Sequence, residues 1–305
     1  MTAPTGTTRP PGALSAMSVD VEDYFQVSAF RPHVRPEDWA SHPLRVERNL
    51  RRLLEVFDAA GVRATFFWLG WVAERLPALV REVADAGHEI ASHGYQHIRA
   101  FEQSEAEFRD DVTRTRGILQ DLSGRDVIGY RAASFSIDAR NLWALDILEE
   151  TGHHYSSSVS PINHDHYGMR SAPRFAFRLA GRRLVEIPVT TVEVGGWRMP
   201  CGGGGFFRLF PYGLSRAAIG RVTASEGQPG VFYFHPWEID PGQPRLPGID
   251  LRTRFRHYVN LARFERKLCR LLADFRWAPM REAFGPVING TAPCGTMDFP
   301  PRART

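Results

Sequence analysis

From Ala16 onward, short apolar runs alternate with stretches of helical periodicity. Ala16–Val21 reads as a strand ending in acidic residues. Pro43–Ala60 carries Leu50, Leu53, Leu54 and Phe57 at helical spacing and stops at Gly61. Ala64–Leu69 (ATFFWL) predicts a buried strand, followed by a helix to Ala86 with Gly87 as its stop, and His88–Ser92 is strand-like. Ser104 with Glu107 forms a capping box that opens a helix to about Leu122. Val127–Tyr130 predicts a strand and Ile137–Glu150 a helix. Further strands are expected at His154–Val159, Leu184–Thr190 and Gly230–His235, and an amphipathic stretch at about Arg252–Phe275. Strands alternating with helices imply βαβ units, a parallel sheet, and chemistry gathered at the carboxyl ends of the strands.

That rule works as a filter: the polar residues just after each apolar run are the ones to ask about. The first strand delivers Asp20, Glu22 and Asp23 (SVDVEDYF), and the third delivers His93 and His97 (SHGYQH). The next delivers Arg131 (GYRAASF), and a late one delivers His235 (FYFHPWEID). Histidines four apart on one helical turn would share a face, and two imidazoles with one carboxylate make the ligand set of a catalytic divalent ion. Three acids within four positions repel one another unless a cation or an arginine offsets them. On a strand Asp20 and Glu22 face the same side, while the direction of Asp23 is open. Arg131 is expected to hold one of the first-strand carboxylates ionised and oriented. His235 is the candidate general acid.

Composition narrows the chemistry. The chain has 305 residues, 38 of them basic and 34 acidic, for a formal net charge of +4. The only lysine is Lys267, within a charged helical stretch, so Schiff-base catalysis and a lysine-containing phosphate loop have no natural place. Arginine stays charged at any working pH, leaving proton transfer to His, Asp, Glu or Tyr. Cys201, Cys269 and Cys294 are odd in number and widely spaced, so no disulfide framework is expected. The arginines between Arg252 and Arg270 read as the solvated face of an amphipathic helix, not a nucleic-acid site. Gly202–Gly205 reads as a mobile loop over the pocket. No run approaches the roughly 18 apolar residues of a membrane span, and the N-terminus has no apolar signal core, so a cytoplasmic enzyme is expected.

The order acidic cluster, H-x-x-x-H, arginine motif, late histidine resembles the polysaccharide deacetylases of the NodB-homology type, carbohydrate esterase family 4, over roughly Ala16–Asp240. VDVEDYFQV, SHGYQH, GYRAASFSI and FYFHPWEID resemble the subgroup found in exosortase-linked exopolysaccharide loci. That subgroup has a C-terminal region that here would include MPCGGGGFFRLFPY and the helix after Arg252. The resemblance implies an α/β fold, a distorted (β/α) barrel of about seven strands with a C-terminal extension. It also implies a divalent ion, zinc or similar, that serves hydrolysis of the N-acetyl group of an amino sugar. In those terms Asp20 is the base, Glu22 or Asp23 a metal ligand with His93 and His97, Arg131 the orienting arginine and His235 the acid. Tyr24, Phe135 and Trp237 would form a stacking wall for a sugar ring, with a core role the alternative for Phe135. The pattern departs from the family in the Asp20-Val21-Glu22-Asp23 spacing, at Gly94 and at Ala133. For the family's Asp-Trp motif the candidates are Asp165 and Trp237.

The organisation expected is a lead over 1–15, the deacetylase domain over 16–240, a helical extension packed on the barrel over 241–290, and a tail over 291–305. The substrate expected is an N-acetylated polysaccharide or oligosaccharide, of an exopolysaccharide or its lipid-linked precursor. The chain would meet it at the inner membrane face, associated peripherally with an assembly system. The rival readings are an allantoinase-like amidohydrolase on a small cyclic amide and an inactive glycan-binding protein.

Overall fold

A computed structural model describes residues 12–162 and 168–298. Seven strands run parallel: β1 (Ser15–Val21), β2 (Thr65–Trp68), β3 (Glu89–Ser92), β4 (Gly129–Tyr130), β5 (Tyr155–Ser156), β6 (Val185–Glu186) and β7 (Val231–Phe234). Their order in the sheet is β7-β1-β2-β3-β4-β5-β6. Every residue of β1 is buried, as expected of a strand with neighbours on both edges and covered on both faces. Its last turn therefore projects Asp20 and Glu22 from the middle of the sheet.

No backbone ladder joins β6 to β7. The chain running on from β6 instead brings up Thr190, whose hydroxyl accepts from the Val231 amide at 2.5 Å and donates to the Val231 carbonyl at 2.9 Å. Gly202 then accepts from the Tyr233 amide at 2.8 Å. The expected mobile glycine loop is thus corrected: Gly202, Gly203 and Gly204 are buried against β7 and lead into a short helix, Gly204–Leu209. Glycine is required there because a Cβ on Gly202 would lie 2.2 Å from the Val231 carbonyl oxygen, and one on Gly204 would lie 2.3 Å from Glu238 Oε1.

Several elements are shorter than their apolar pattern suggests, and local chemistry explains each. The helix expected to reach Ala86 is two, Gly70–Arg75 and Pro77–Asp85, because Pro77 has no amide to donate and starts a new helix. Helix Trp143–Glu150 begins late because the Asn141 side chain accepts from the Asp138 amide and donates to the Ser136 carbonyl, holding a turn. The amphipathic stretch near the C-terminus divides at Asn260 (φ 54°) into Leu251–Tyr258 and Leu261–Asp274. The second of these buries Leu261, Phe264, Leu268, Leu271 and Leu272 in the core. Lys267 on it donates to the carbonyls of Phe207, Arg208 and Phe210, capping the short helix. The extension is more than helical, since Trp277–Ala278 pairs with β1, and the segment expected as a tail pairs through Gly295–Met297 with Phe177–Leu179. A hairpin, Thr191–Val194 with Trp197–Pro200, stands outside the main sheet.

Two outcomes follow. Gly202→Ala should cost more than about 2 kcal/mol in chemical denaturation, by overpacking against backbone. Gly205→Ala, where a Cβ meets nothing, should stay within about 0.5 kcal/mol; equal effects would contradict the strand-bridging role. Secondly, His88 is buried with its Nδ1 accepting from the Ala64 amide, and burial, with Arg63 adding to it, lowers its pKa to about 4. A base depressed below its unfolded value near 6.5 gives stability that is complete above that pH and lost as pH falls towards 4. His88→Asn should therefore flatten the fall in melting temperature between pH 6.5 and 4; an unchanged slope would refute this.

Candidate active site and metal centre

Asp20, the penultimate residue of β1, is almost wholly buried, and Arg131, just after β4, has no exposed surface. Arg131 Nη1 donates to Asp20 Oδ1 at 2.6 Å and to Ser18 Oγ at 2.9 Å. Its Nε donates to the Ser157 carbonyl at 3.2 Å and Nη2 to Ser157 Oγ at 3.1 Å. The guanidinium carbon lies 4.1 Å from the centre of the Phe67 ring. A buried guanidinium is tolerable only when its donors are met, and here β1 and the segment just after β5 meet them. Ser18 and Ser157 carry no sequence signal of this role; only the register of neighbouring strands brings them to the arginine.

His93 follows β3 directly. Its Nδ1 lies 2.8 Å from the Arg131 carbonyl, which can only accept, so Nδ1 carries the proton and Nε2 keeps a free lone pair. His97 does not reach the site by a helical turn. The connection is an irregular loop with positive φ at Gly94 (74°) and His97 (55°), braced where Asp111 accepts from the Tyr95 amide at 2.7 Å. The His97 Nε2 lies 3.1 Å from Glu22 Oε2, and its Nδ1 lies 3.4 Å from Ser28 Oγ. One ligating atom each from Glu22, His93 and His97 falls within 4.8 Å of the others.

Burial lowers the pKa of both histidines, His97 far below normal, so each is neutral at pH 7 and able to donate a lone pair. Burial raises that of Glu22, with His235 opposing. Among the described residues Glu22 Oε2 has no hydrogen-bond partner although it is buried and close to His97 Nε2. Two such acceptor atoms about 3 Å apart suit a shared cation: ligands roughly 2.1 Å from a tetrahedral zinc stand about 3.4 Å from one another. The donor set and the orphaned oxygen therefore fit a divalent ion.

On the opposite side of Glu22, His235 Nε2 lies 3.2 Å from Oε1. Its Nδ1 lies 2.9 Å from Glu238 Oε1, and its backbone amide donates to the same oxygen at 3.1 Å. Burial disfavours the charged imidazole, but Glu22 and then Glu238 outweigh it and raise the His235 pKa. Glu238 is itself fully buried, and Arg208 Nε donates to it at 2.6 Å. Arg208 also donates to the carbonyls of Arg256, His257 and Val259. Trp237 stacks on His235 with centroids 5.1 Å apart, and its ring also stacks on His257 at 4.2 Å. Glu238 stood readable three positions after His235, whereas Arg208 and His257 gave no local cue.

Three expected roles are corrected. Asp23 points away from the cluster and caps a helix: Oδ1 accepts from the Tyr24 amide, and Oδ2 from the amides of Arg45 and Val46 at the start of helix Val46–Ala60. The third ligand candidate is Glu22. Tyr24 is fully buried, edge-on to Phe25 in the core, and presents no wall to a sugar. Trp237 is almost wholly buried and its ring is already stacked with His235 and His257, so it braces the histidine instead of forming a wall for a sugar. Phe135 (φ 51°) is buried beside Arg131 and Tyr233, in keeping with the core alternative. Asp165 lies outside the described residues.

Comparison with known proteins adds the following. Residues 40–155 match the sequence model of the polysaccharide deacetylase family, and residues 157–285 match a domain of unknown function, DUF3473. The peptidoglycan-N-acetylglucosamine deacetylase of Bacillus cereus is 37% identical over 73 residues, 24% of this chain and 26% of that protein. The chain thus spans about a quarter of that relative's length. The crystal structure of a provisional polysaccharide deacetylase from Mycobacterium smegmatis has a TM-score of 0.63 at 20% identity, covering 99% of each chain. That of PuuE allantoinase has a TM-score of 0.56 at 17% identity, covering 96% of this chain and 99% of that one. At those identities the likeness is one of fold.

The two neighbouring acids should separate in stability. With chelator present, Asp23→Ala strands three amides and should cost about 2–4 kcal/mol. Glu22→Gln removes a buried, incompletely partnered charge and should be neutral or stabilising. The reverse order in denaturant titrations would contradict the capping assignment.

Proposed function

Because the chain belongs to the polysaccharide deacetylase family, we propose that it is a hydrolase that removes the N-acetyl group from an amino sugar of a glycan, using a divalent ion held by Glu22, His93 and His97. The observation that carries this is the arrangement around Glu22. Together with the Glu22, His93 and His97 cluster the structure holds a carboxylate gripped by arginine, Asp20–Arg131, and an imidazole gripped by carboxylate, His235–Glu238, whose Nε2 lies 3.2 Å from Glu22. When bound, the ion would supply Lewis-acid polarisation of the acetyl carbonyl and a water of lowered pKa.

The chain's own groups do the proton work. Asp20, oriented by the Arg131 guanidinium, takes a proton from the attacking water. His235, oriented by Glu238 through Nδ1, presents Nε2 to the amine and protonates it as the C–N bond breaks. Arg131 links base and metal site, because its guanidinium grips Asp20 while its carbonyl fixes His93. Arg208 keeps Glu238 ionised inside the protein, where an unpaired carboxylate would be costly.

The Bacillus cereus relative supports an N-acetylglucosamine-containing glycan as the substrate class. The motif resemblance supports an exopolysaccharide or its precursor within that class. Among the described residues no helix is long and apolar enough to cross a membrane. An allantoinase-like reaction has only the fold likeness on its side.

Acetate release from N-acetylglucosamine oligomers, measured with the metal content of the purified protein, tests the reading. His93→Ala and His97→Ala should lose bound metal and at least about a hundredfold in kcat/KM; metal and activity intact in both would overturn the centre. His235→Ala should keep its metal and lose about 10²–10⁴-fold in kcat. An unchanged kcat would remove it from the acid role.

A further inference from the structure

A cavity of about 560 Å³ opens beside the candidate centre. It is flanked by Ser28 and Ser134, whose hydroxyls are 2.5 Å apart with Ser28 also against His97, and by Trp237, which stacks on His235. A substrate presenting its acetyl group between His97 and His235 would place its neighbouring groups in this space.

The charge of the lining is one-sided. Its lining includes three arginines, Arg99, Arg208 and Arg256, and two histidines, His33 and His257, against one acidic residue, Asp250. Asp250 is engaged in capping a helix, accepting from the amides of Arg252 and Thr253, and Arg208 is neutralised by Glu238. The remaining two arginines are under-partnered. Among the described residues the one carboxylate partner of Arg99 is Glu102, at 3.7 Å, and that carboxylate is shared with Arg31. Arg256 has no carboxylate partner among the described residues, while its carbonyl is pinned by Arg208 Nη2 at 3.2 Å, which holds the residue at the cavity. Guanidinium is also the side chain best shaped for carboxylate or phosphate.

We propose that this cavity binds an anionic group of the substrate, a carboxylate or a phosphate close to the N-acetylated sugar, so that acidic amino-sugar substrates are preferred over neutral ones. The proposal rests on the deacetylase reading for its assay but not for its binding site. Arg256 is its specificity-determining residue, with Arg99 in support.

The experiment compares kcat/KM at low ionic strength for three substrates. These are a neutral N-acetylglucosamine tetramer, a tetrasaccharide alternating N-acetylglucosamine with glucuronate, and N-acetylglucosamine 1-phosphate. At least one acidic substrate should exceed the neutral one by tenfold or more, and which one identifies the source of the anion. The ratio should shrink as added salt screens it. Arg256→Gln should bring the ratio towards unity, while Arg254→Gln, on the same helix but outside the lining, should leave it unchanged. Equal kcat/KM for all three substrates, or a ratio indifferent to Arg256→Gln, would overturn the anion site and leave the deacetylase reading standing. If no substrate releases acetate, that reading fails. Calorimetric titration with the glucuronate tetrasaccharide then decides the site: binding weakened by Arg256→Gln upholds it, and binding that is absent or unaffected overturns it.

Discussion

The constraint on which the active end of this protein depends is a guanidinium with no access to water. Arg131 must have its donors satisfied inside the fold, and the partners that satisfy it come from β1 and from the segment after β5. Its charge sets the carboxylate of Asp20, and its backbone carbonyl sets the tautomer of His93. One buried residue thus fixes a candidate base and a candidate metal ligand relative to each other. The cost of burying it is offset only in the complete parallel sheet, which couples the chemistry to the fold.

A second buried pair works in the same way from the other half of the chain. Arg208 and Glu238 lie within the region matched by DUF3473, outside the stretch matched by the deacetylase family. Through them the His257–Val259 segment is tied to His235, and the His235–Trp237–His257 stack adds a second tie. The C-terminal region is therefore part of the site's support. It also supplies the glycines that let the chain after β6 approach β7.

Much of this was legible in the sequence because strand-end geometry is a strong constraint. Asp20, Glu22, His93, Arg131 and His235 each follow an apolar run, and a parallel sheet brings such positions to one end. The choice between Glu22 and Asp23 was not legible, since it turns on a helix start 22 residues away whose amides claim Asp23. Nor was the path from His93 to His97, where a positive φ at His97 replaces the helical turn that the spacing suggested. Aromatic residues misled for a common reason: Tyr24 and Trp237 stand next to site residues in sequence, but alternation and stacking turn their faces into the protein. The supports Ser18, Ser157 and Arg208 depend on partners far away along the chain, which no local pattern records.

The most direct measurement is X-ray absorption spectroscopy of the metal-reconstituted protein, comparing the parent chain with Asp23→Asn and His97→Ala. A centre built from Glu22, His93 and His97 predicts two imidazoles and a carboxylate oxygen around the metal, a spectrum unchanged in Asp23→Asn, and the loss of one imidazole in His97→Ala. A ligand shell without imidazole, or one altered by Asp23→Asn and indifferent to His97→Ala, would contradict it.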